Sequence, residues 1–188
     1  MTNLSKYLSD YNSAYNRGMN GLDYTQLELA IKAIERAYDT DKTVFVAGNG
    51  GSAAISNHLC CDFMKGFDSR VVSLSCNTPL ITAIANDLGY KETISYQLDH
   101  LLNDGDILIL ISSSGNSENI IEALDRAKRT SNLVIGLTGF SGGKLMLGAD
   151  ISLHIPIANY GVVEDCHQSI MHIISQYIYK ERGFNVSF

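Results

Sequence analysis

Two segments of the chain place a histidine and a carboxylate where one helix face would hold both. His58 and Asp62 are four residues apart, and Glu164 and His172 are eight residues apart with Gln168 midway. Such spacings bring side chains to one side of an α-helix. An imidazole beside a carboxylate can transfer protons as a general acid and base, or can bind a metal ion. A packed histidine beside a solvated carboxylate is the simpler interpretation of either pair alone, so both interpretations stay open.

Two polar turns indicate a second kind of site. Residues 48–52 (GNGGS) follow an apolar run and precede a helical pattern, and residues 112–117 (SSSGNS) do the same further along the chain. Glycines let a backbone approach a ligand closely, and a helix start offers free N–H groups and a positive dipole end. Serine hydroxyls can bind phosphate oxygens without a positive charge. The alternatives are a tight strand–helix turn for the first segment and an N-cap at Ser117 for the second.

A series of strands alternating with helices must position these residues. Apolar runs predict strands at residues 43–47, 70–75, 106–111, 132–137 and 151–155. Helical patterns cover residues 24–38, 52–64, 78–86, 92–102, 117–129 and 163–180, and the first forty residues read as two helices. Buried strands interleaved with helices predict an α/β fold with a parallel sheet covered on both faces. In such sheets, ligands bind at the carboxyl ends of the strands. The length predicts one domain over residues 1–188, with a helical segment at 1–40.

The composition excludes several classes of partner. The 188 residues include 14 basic and 20 acidic side chains, which give a net charge of −6. This charge disfavours nucleic acid and anionic membranes as partners. No apolar run reaches the ~18 residues of a membrane span, and the N-terminus lacks the apolar stretch of a secretory signal. The four cysteines lack the spacing of a metal site. We therefore expect a cytoplasmic protein with reduced thiols.

The two turns, together with LTG at residues 137–139, resemble the sugar isomerase (SIS) domain family. Within that family the chain is most similar to the phosphoheptose isomerases, from about Leu27 to Ile178. The resemblance implies a three-layer sandwich with a five-stranded parallel sheet, usually assembled as a homotetramer through N-terminal helices. A stripe of Leu27, Ile34 and Tyr38 is a candidate for packing between subunits, the alternative being packing on its own sheet. In a tetramer, residues of different chains can share a site.

The resemblance also implies roles for single residues. The family's zinc ligands or catalytic groups fall on His58, Asp62, Glu164 and His172. Either carboxylate would be the base and His172 the acid. Substrate binding is implied for Asn49, Gly50, Gly51, Ser52, Asp62, Asn86, Asp87, Ser112, Ser113, Ser114, Ser117 and Glu164. The chain departs from the family because Asp62 replaces a glutamate, Glu164 replaces a glutamine, and an Asp-Arg pair before the latter is missing.

The function implied by the resemblance is aldose–ketose isomerisation. Sedoheptulose 7-phosphate would become D-glycero-D-manno-heptose 7-phosphate through an enediol, for bacterial lipopolysaccharide or capsule precursors, with Zn²⁺ as the expected metal. The departures at Asp62 and Glu164 leave two alternatives open. One is an enzyme of the same fold with a different phosphosugar, and the other is a non-catalytic relative that binds a replication-initiator protein.

Overall fold

The computed structural model describes residues 2–67, 69–130 and 132–187. The helices are α1 (Asn3–Asn20), α2 (Tyr24–Asp39), α3 (Gly51–Phe67), α4 (Thr78–Asp87), α5 (Glu92–Leu101), α6 (Glu118–Lys128), α7 (Gly143–Gly148) and α8 (Tyr160–Glu181). The strands are β1 (Val44–Gly48), β2 (Val71–Ser73), β3 (Ile107–Ser112), β4 (Leu133–Thr138) and β5 (Ile151–His154). All predicted strands and helices are present. Helix α7 was not predicted, and α8 begins three residues earlier than expected.

The five strands form one parallel sheet in the order β2-β1-β3-β4-β5. Strand β1 lies beside β3, with Val44 opposite Ile107 and Gly48 opposite Ile111. The chain leaves β1 for β2 on one side, whereas β3 leads to β4 on the other side. Adjacent strands whose connections diverge in this way open a crevice at their carboxyl ends, where α/β proteins bind ligands. The two polar turns follow β1 and β3, so both border this crevice.

Alternating residues of each strand face two separate hydrophobic layers. Val44 and Val46 belong to a core that includes residues of α2, α3 and α8. Phe45 and Ala47 face the other layer, which includes residues of α5, α6 and α7. A strand alternates its side chains between the two faces of a sheet, so apolar runs such as ILILIS in β3 supply both layers. The predicted three-layer α/β sandwich is confirmed.

The structure corrects the expectation for the apolar stripe of α2. Leu27 and Ile34 are 8% and 1% exposed and belong to the core of their own chain, and Tyr38 packs against that core. Leu27 and Ile34 therefore cover their own sheet, which is the alternative that the sequence left open. Exposed apolar side chains lie on α1, at Leu4 and Tyr7, and elsewhere on α2, at Tyr24 and Leu29. Among the described residues, no helix is both long and apolar enough to cross a membrane.

Candidate active site

A pocket of about 130 Å³ lies where the two polar turns meet. Its lining residues come from β3, both turns and the start of α8: Asn49, Ser52, Ile111, Ser112, Ser113, Ser114, Ser117, Tyr160 and Glu164. We call it the serine pocket. Most of the substrate-binding residues predicted from the sequence meet here. Tyr160, at the first turn of α8, was not predicted, and no sequence motif marks it.

The hydroxyls of the serine pocket are not all occupied by hydrogen bonds within the described residues. The buried Ser113 Oγ has no hydrogen-bond partner among the described residues. Ser117 occupies the N-cap position of α6, yet its side chain makes no capping hydrogen bond and lies 3.4 Å from Ser112 Oγ. The N-cap interpretation therefore does not account for this hydroxyl. Gly115 has a positive φ of 65°, and its N–H donates to Ser112 Oγ over 3.2 Å. The turn folds tightly here and directs hydroxyls and the free N–H groups of α6 toward one pocket.

Helices α3 and α8 run side by side in the same direction. Glu164 lies against Gly51 at the start of α3, and Gly66 near its end lies beside Tyr179. Between these contacts, the rings of His58 and His172 meet edge to face, with centroids 5.0 Å apart. Parallel packing follows from the fold because both helices follow parallel strands on the same face of the sheet.

His58, Asp62 and His172 form a cluster midway along the helix pair. One nitrogen or oxygen of each lies within 4.8 Å of those of the other two. His58 Nε2 is 3.5 Å from Asp62 Oδ1, and His172 Nε2 is buried without a partner among the described residues. Two imidazoles and a carboxylate are a ligand set of catalytic zinc sites. The structure thus brings together three of the four predicted ligands.

Glu164, the fourth predicted ligand, lies at the N-terminal end of the helix pair, away from the cluster. Eight residues separate it from His172, which is about 12 Å along a helix axis. Its carboxylate contacts Gly51, where an added Cβ would overlap both carboxylate oxygens. Glu164 is thus part of the serine pocket and stands apart from the histidine cluster.

A fully buried histidine, His167, lies beside the site without lining it. Its Nε2 lies 3.1 Å from the carbonyl oxygen of Thr138, at the end of β4. Burial lowers the pKa of His167 to about 4, so the ring is neutral at physiological pH. It therefore serves packing and not proton transfer.

A network of amides and hydroxyls spans the crevice between β1 and β3. Asn49 and Asn119 hydrogen bond to each other in both directions, and Tyr90 and Thr93 bond to this pair. Asn119, Thr93 and Tyr90 were not assigned roles from the sequence. The buried Asn119 follows the serine turn by two residues, but its partner is 70 residues away in the chain.

Five predicted substrate-binding residues do not line the serine pocket: Gly50, Gly51, Asp62, Asn86 and Asp87. Gly50 lines the neighbouring cavity, Gly51 contacts Glu164, and Asp62 belongs to the histidine cluster. Asn86 and Asp87 are exposed at the end of α4, where Asn86 Nδ2 donates to Asp87 Oδ1 over 2.8 Å. Their contact with substrate stays a prediction.

Comparisons with known proteins agree with this geometry. The family model of the SIS domain matches residues 7–139. The phosphoheptose isomerase of Sulfurimonas denitrificans is 38% identical over 161 residues, covering 83% of each chain. The solved phosphoheptose isomerase of Francisella tularensis superposes with a TM-score of 0.88 at 31% identity, covering 96% of this chain and 100% of that chain. That of Neisseria gonorrhoeae gives a TM-score of 0.87 at 30% identity, covering 93% and 96%.

The comparisons in sequence and in fold extend over most of this chain and of its relatives, which is enough to assign a family. The family model covers most of the chain, and the relatives are matched over most of their own length. The chain belongs to the SIS domain family and, within it, to the phosphoheptose isomerases.

Proposed function

We propose that the chain isomerises sedoheptulose 7-phosphate to D-glycero-D-manno-heptose 7-phosphate, a precursor for surface polysaccharides. The observation that carries this proposal is the spacing between the serine pocket and the histidine cluster along α3 and α8. One end offers neutral donors suited to a phosphate group, and the other offers an acid–base set. The curated and solved relatives at 30–38% identity are phosphoheptose isomerases, which supports the same activity.

The distance between the two ends suits a seven-carbon sugar. The serine pocket reaches Ser52 in the first turn of α3, and six residues, about 9 Å along the helix axis, separate Ser52 from His58. With C–C bonds of about 1.5 Å, an extended ketose 7-phosphate spans roughly 10 Å from C1 to phosphorus. A phosphate in the serine pocket would therefore place C1 and C2 near the histidine cluster.

Proton transfer between C1 and C2 requires one base and one acid near those carbons. Asp62 and His172 lie at that end of the site, so we assign Asp62 as the base and His172 as the acid. Asp62 Oδ1 faces His58, and a carboxylate has a second oxygen for the substrate. Glu164 lies nearer to the phosphate end, where its role would be to bind sugar hydroxyls.

His58, Asp62 and His172 also fit a zinc ion. The buried His172 Nε2, which has no partner in the part of the chain that the structure describes, is the kind of atom that a ligand satisfies. When bound, Zn²⁺ would act as a Lewis acid that polarises the reacting oxygens. The three side chains would hold the ion, and α3 and α8 keep them in place. Because an imidazole nitrogen bound to a metal carries no proton, the acid role of His172 applies to the site without the ion.

A homotetramer is part of the proposal. Exposed apolar residues remain on the outer faces of two helices, at Leu4, Tyr7 and Leu8 of α1 and at Ile173 and Tyr177 of α8. Such residues mark association surfaces when they form a patch. Assembly would also give Asn86 and Asp87 a site to face on a neighbouring chain.

A panel of ketose phosphates with five, six and seven carbons tests the proposal. The spacing predicts the highest kcat/KM for the seven-carbon substrate, with a fall for each carbon removed. A preference for a shorter sugar would support the alternative phosphosugar, for which the Glu164 carboxylate in the serine pocket is the motivating observation. No turnover of any of them would favour the non-catalytic binding protein.

A further inference from the structure

A pair of asparagine side chains joins the two turns at the crevice between β1 and β3. Asn49 Nδ2 donates to Asn119 Oδ1, and Asn119 Nδ2 donates to Asn49 Oδ1, each over 2.9 Å. Asn119 is 2% exposed, whereas Asn49 borders both the serine pocket and a second cavity of about 110 Å³. A buried residue therefore holds a residue that faces the ligand pocket.

Thr93 sets the direction of both amides. Its hydroxyl donates its single hydrogen to the carbonyl oxygen of Tyr90 over 2.8 Å, so toward Asn119 it can only accept. Asn119 Nδ2 lies 3.3 Å from Thr93 Oγ1 and is that donor. Asn119 Nδ2 also faces Asn49, so the Asn49 atom that accepts from it must be the oxygen Oδ1. The orientation of each amide thus follows from the donors and acceptors around it.

Tyr90 occupies the remaining acceptor position of Asn49. Its hydroxyl donates to Asn49 Oδ1 over 2.8 Å, so that this oxygen accepts two hydrogen bonds. The Asn49 amide keeps one N–H without a partner among the described residues, on the flank of the planar group opposite Tyr90. Asn49 lines both cavities, whereas Tyr90 lines the second cavity and not the serine pocket, which leaves the flank opposite Tyr90 for a ligand in the serine pocket.

We propose that Asn119, Thr93 and Tyr90 are positioning residues that hold the Asn49 amide with one N–H directed at a neutral oxygen of the bound sugar. This inference rests on the proposed function, because it takes a phosphosugar as the ligand. A donor fixed in advance does not have to be ordered when the ligand binds, and it keeps the sugar aligned for reaction.

Kinetics in two backgrounds test the proposal. Asn119→Leu, Thr93→Val and Tyr90→Phe each remove a polar group at similar size. We expect each to lower kcat/KM about three- to tenfold in the wild-type background, the range that one lost hydrogen bond produces. In an Asn49→Ala background, the same changes should lower it less than twofold, because the amide they orient is gone. Thr93→Ser, which keeps the hydroxyl, should retain more activity than Thr93→Val. Thr130→Val, just beyond the C-terminal end of α6, is the control for loss of a threonine hydroxyl away from the site.

The outcomes separate this inference from the proposed function. If the wild type is active and the changes have no effect, or the same effect in both backgrounds, the positioning role is overturned and the function stands. If the wild type turns over no ketose phosphate, the proposed function fails. In that case, calorimetry of sedoheptulose 7-phosphate binding to the wild type and the same variants tests the positioning role. No binding, or equal affinities of wild type and variants, would overturn that role as well.

Discussion

The carboxylate of Glu164 lies against the Cα of Gly51, so the N-terminal part of α8 covers the first turn of α3. A carboxylate at a helix N-terminus is stabilised by the positive end of the helix dipole. An internal anion thus occupies the start of α3, which leaves the serine turn and the start of α6 for the phosphate. The contact also requires residue 51 to lack a side chain.

Gly51→Ala should lower activity without unfolding the protein. The new Cβ would overlap the Glu164 carboxylate, which is the mobile end of a side chain and can turn away. Because only the flexible end of a side chain has to move, we expect the melting temperature to be kept. Displacement of Glu164 should lower kcat/KM about tenfold or more. Gly66→Ala, in the same helix with only ordinary contact to Tyr179, is the matched control. Equal kcat/KM for Gly51→Ala and wild type would show that the Glu164 position is unimportant.

Ser113→Ala should weaken phosphate binding at little cost in stability. Its buried hydroxyl has no partner among the described residues, so its removal leaves no protein group unpaired. A hydrogen bond to a charged group contributes roughly 1.5–3 kcal/mol, which predicts a loss of at least tenfold in affinity for the sugar phosphate. Ser69→Ala removes another buried hydroxyl, before β2, that has no partner among the residues described, and should leave affinity unchanged. Calorimetry with sedoheptulose 7-phosphate measures both, and equal losses in the two variants would contradict the serine-pocket assignment.

The sheet could be predicted because its strands are short apolar runs bounded by polar turns. The run at residues 106–111 cannot be solvated on either face, so it must lie inside a covered sheet. Helix α7 escaped prediction because its six residues begin and end with glycine and carry no periodic pattern. Helix α8 begins three residues before its apolar pattern becomes visible. This early start depends on a cap, in which Asn159 Oδ1 accepts a hydrogen bond from the N–H of Val162.

The site was only partly predictable for a related reason. Spacing along one helix places Asp62 beside His58 and Glu164 in line with His172, but it does not say what lies opposite each face. That depends on the parallel packing of α3 and α8, which brings His172 to His58 and Glu164 to Gly51. Long-range pairs such as Asn49 with Asn119 have no local sequence signal at all.

The buried His167 should make the protein less stable in acid. Its native pKa of about 4 lies below the ordinary histidine value of 6.5, so between these pH values the unfolded chain binds more protons. Stability should therefore fall as the pH decreases from about 6.5 to 4, by about 3 kcal/mol from this group. His167→Gln keeps a donor for the Thr138 carbonyl oxygen but does not titrate. Denaturant unfolding across this pH range should show a shallower loss for the variant, and parallel curves would contradict the assignment.

Zinc binding should depend on the histidine cluster. We expect the wild type to retain one Zn²⁺ per chain after dialysis, and His58→Ala to lose at least tenfold in zinc affinity, because one of three protein ligands is gone. His100→Ala, on α5 away from the cluster, should bind zinc as the wild type does. Mass spectrometry of bound metal measures this independently of activity. Zinc content that is unchanged in His58→Ala would place the ion elsewhere.

The most direct test of the proposed isomerase activity is to follow sedoheptulose 7-phosphate by NMR with wild type and His172→Ala. We predict that the wild type forms an aldoheptose 7-phosphate, detected by its anomeric signal. The variant should react about 10²–10⁴ times more slowly, the usual loss for one proton-transfer group, while His100→Ala reacts at the wild-type rate. The proposed activity would be contradicted if the wild type bound the ketose phosphate but formed no aldose. Equal rates for wild type and His172→Ala would contradict the role of this residue.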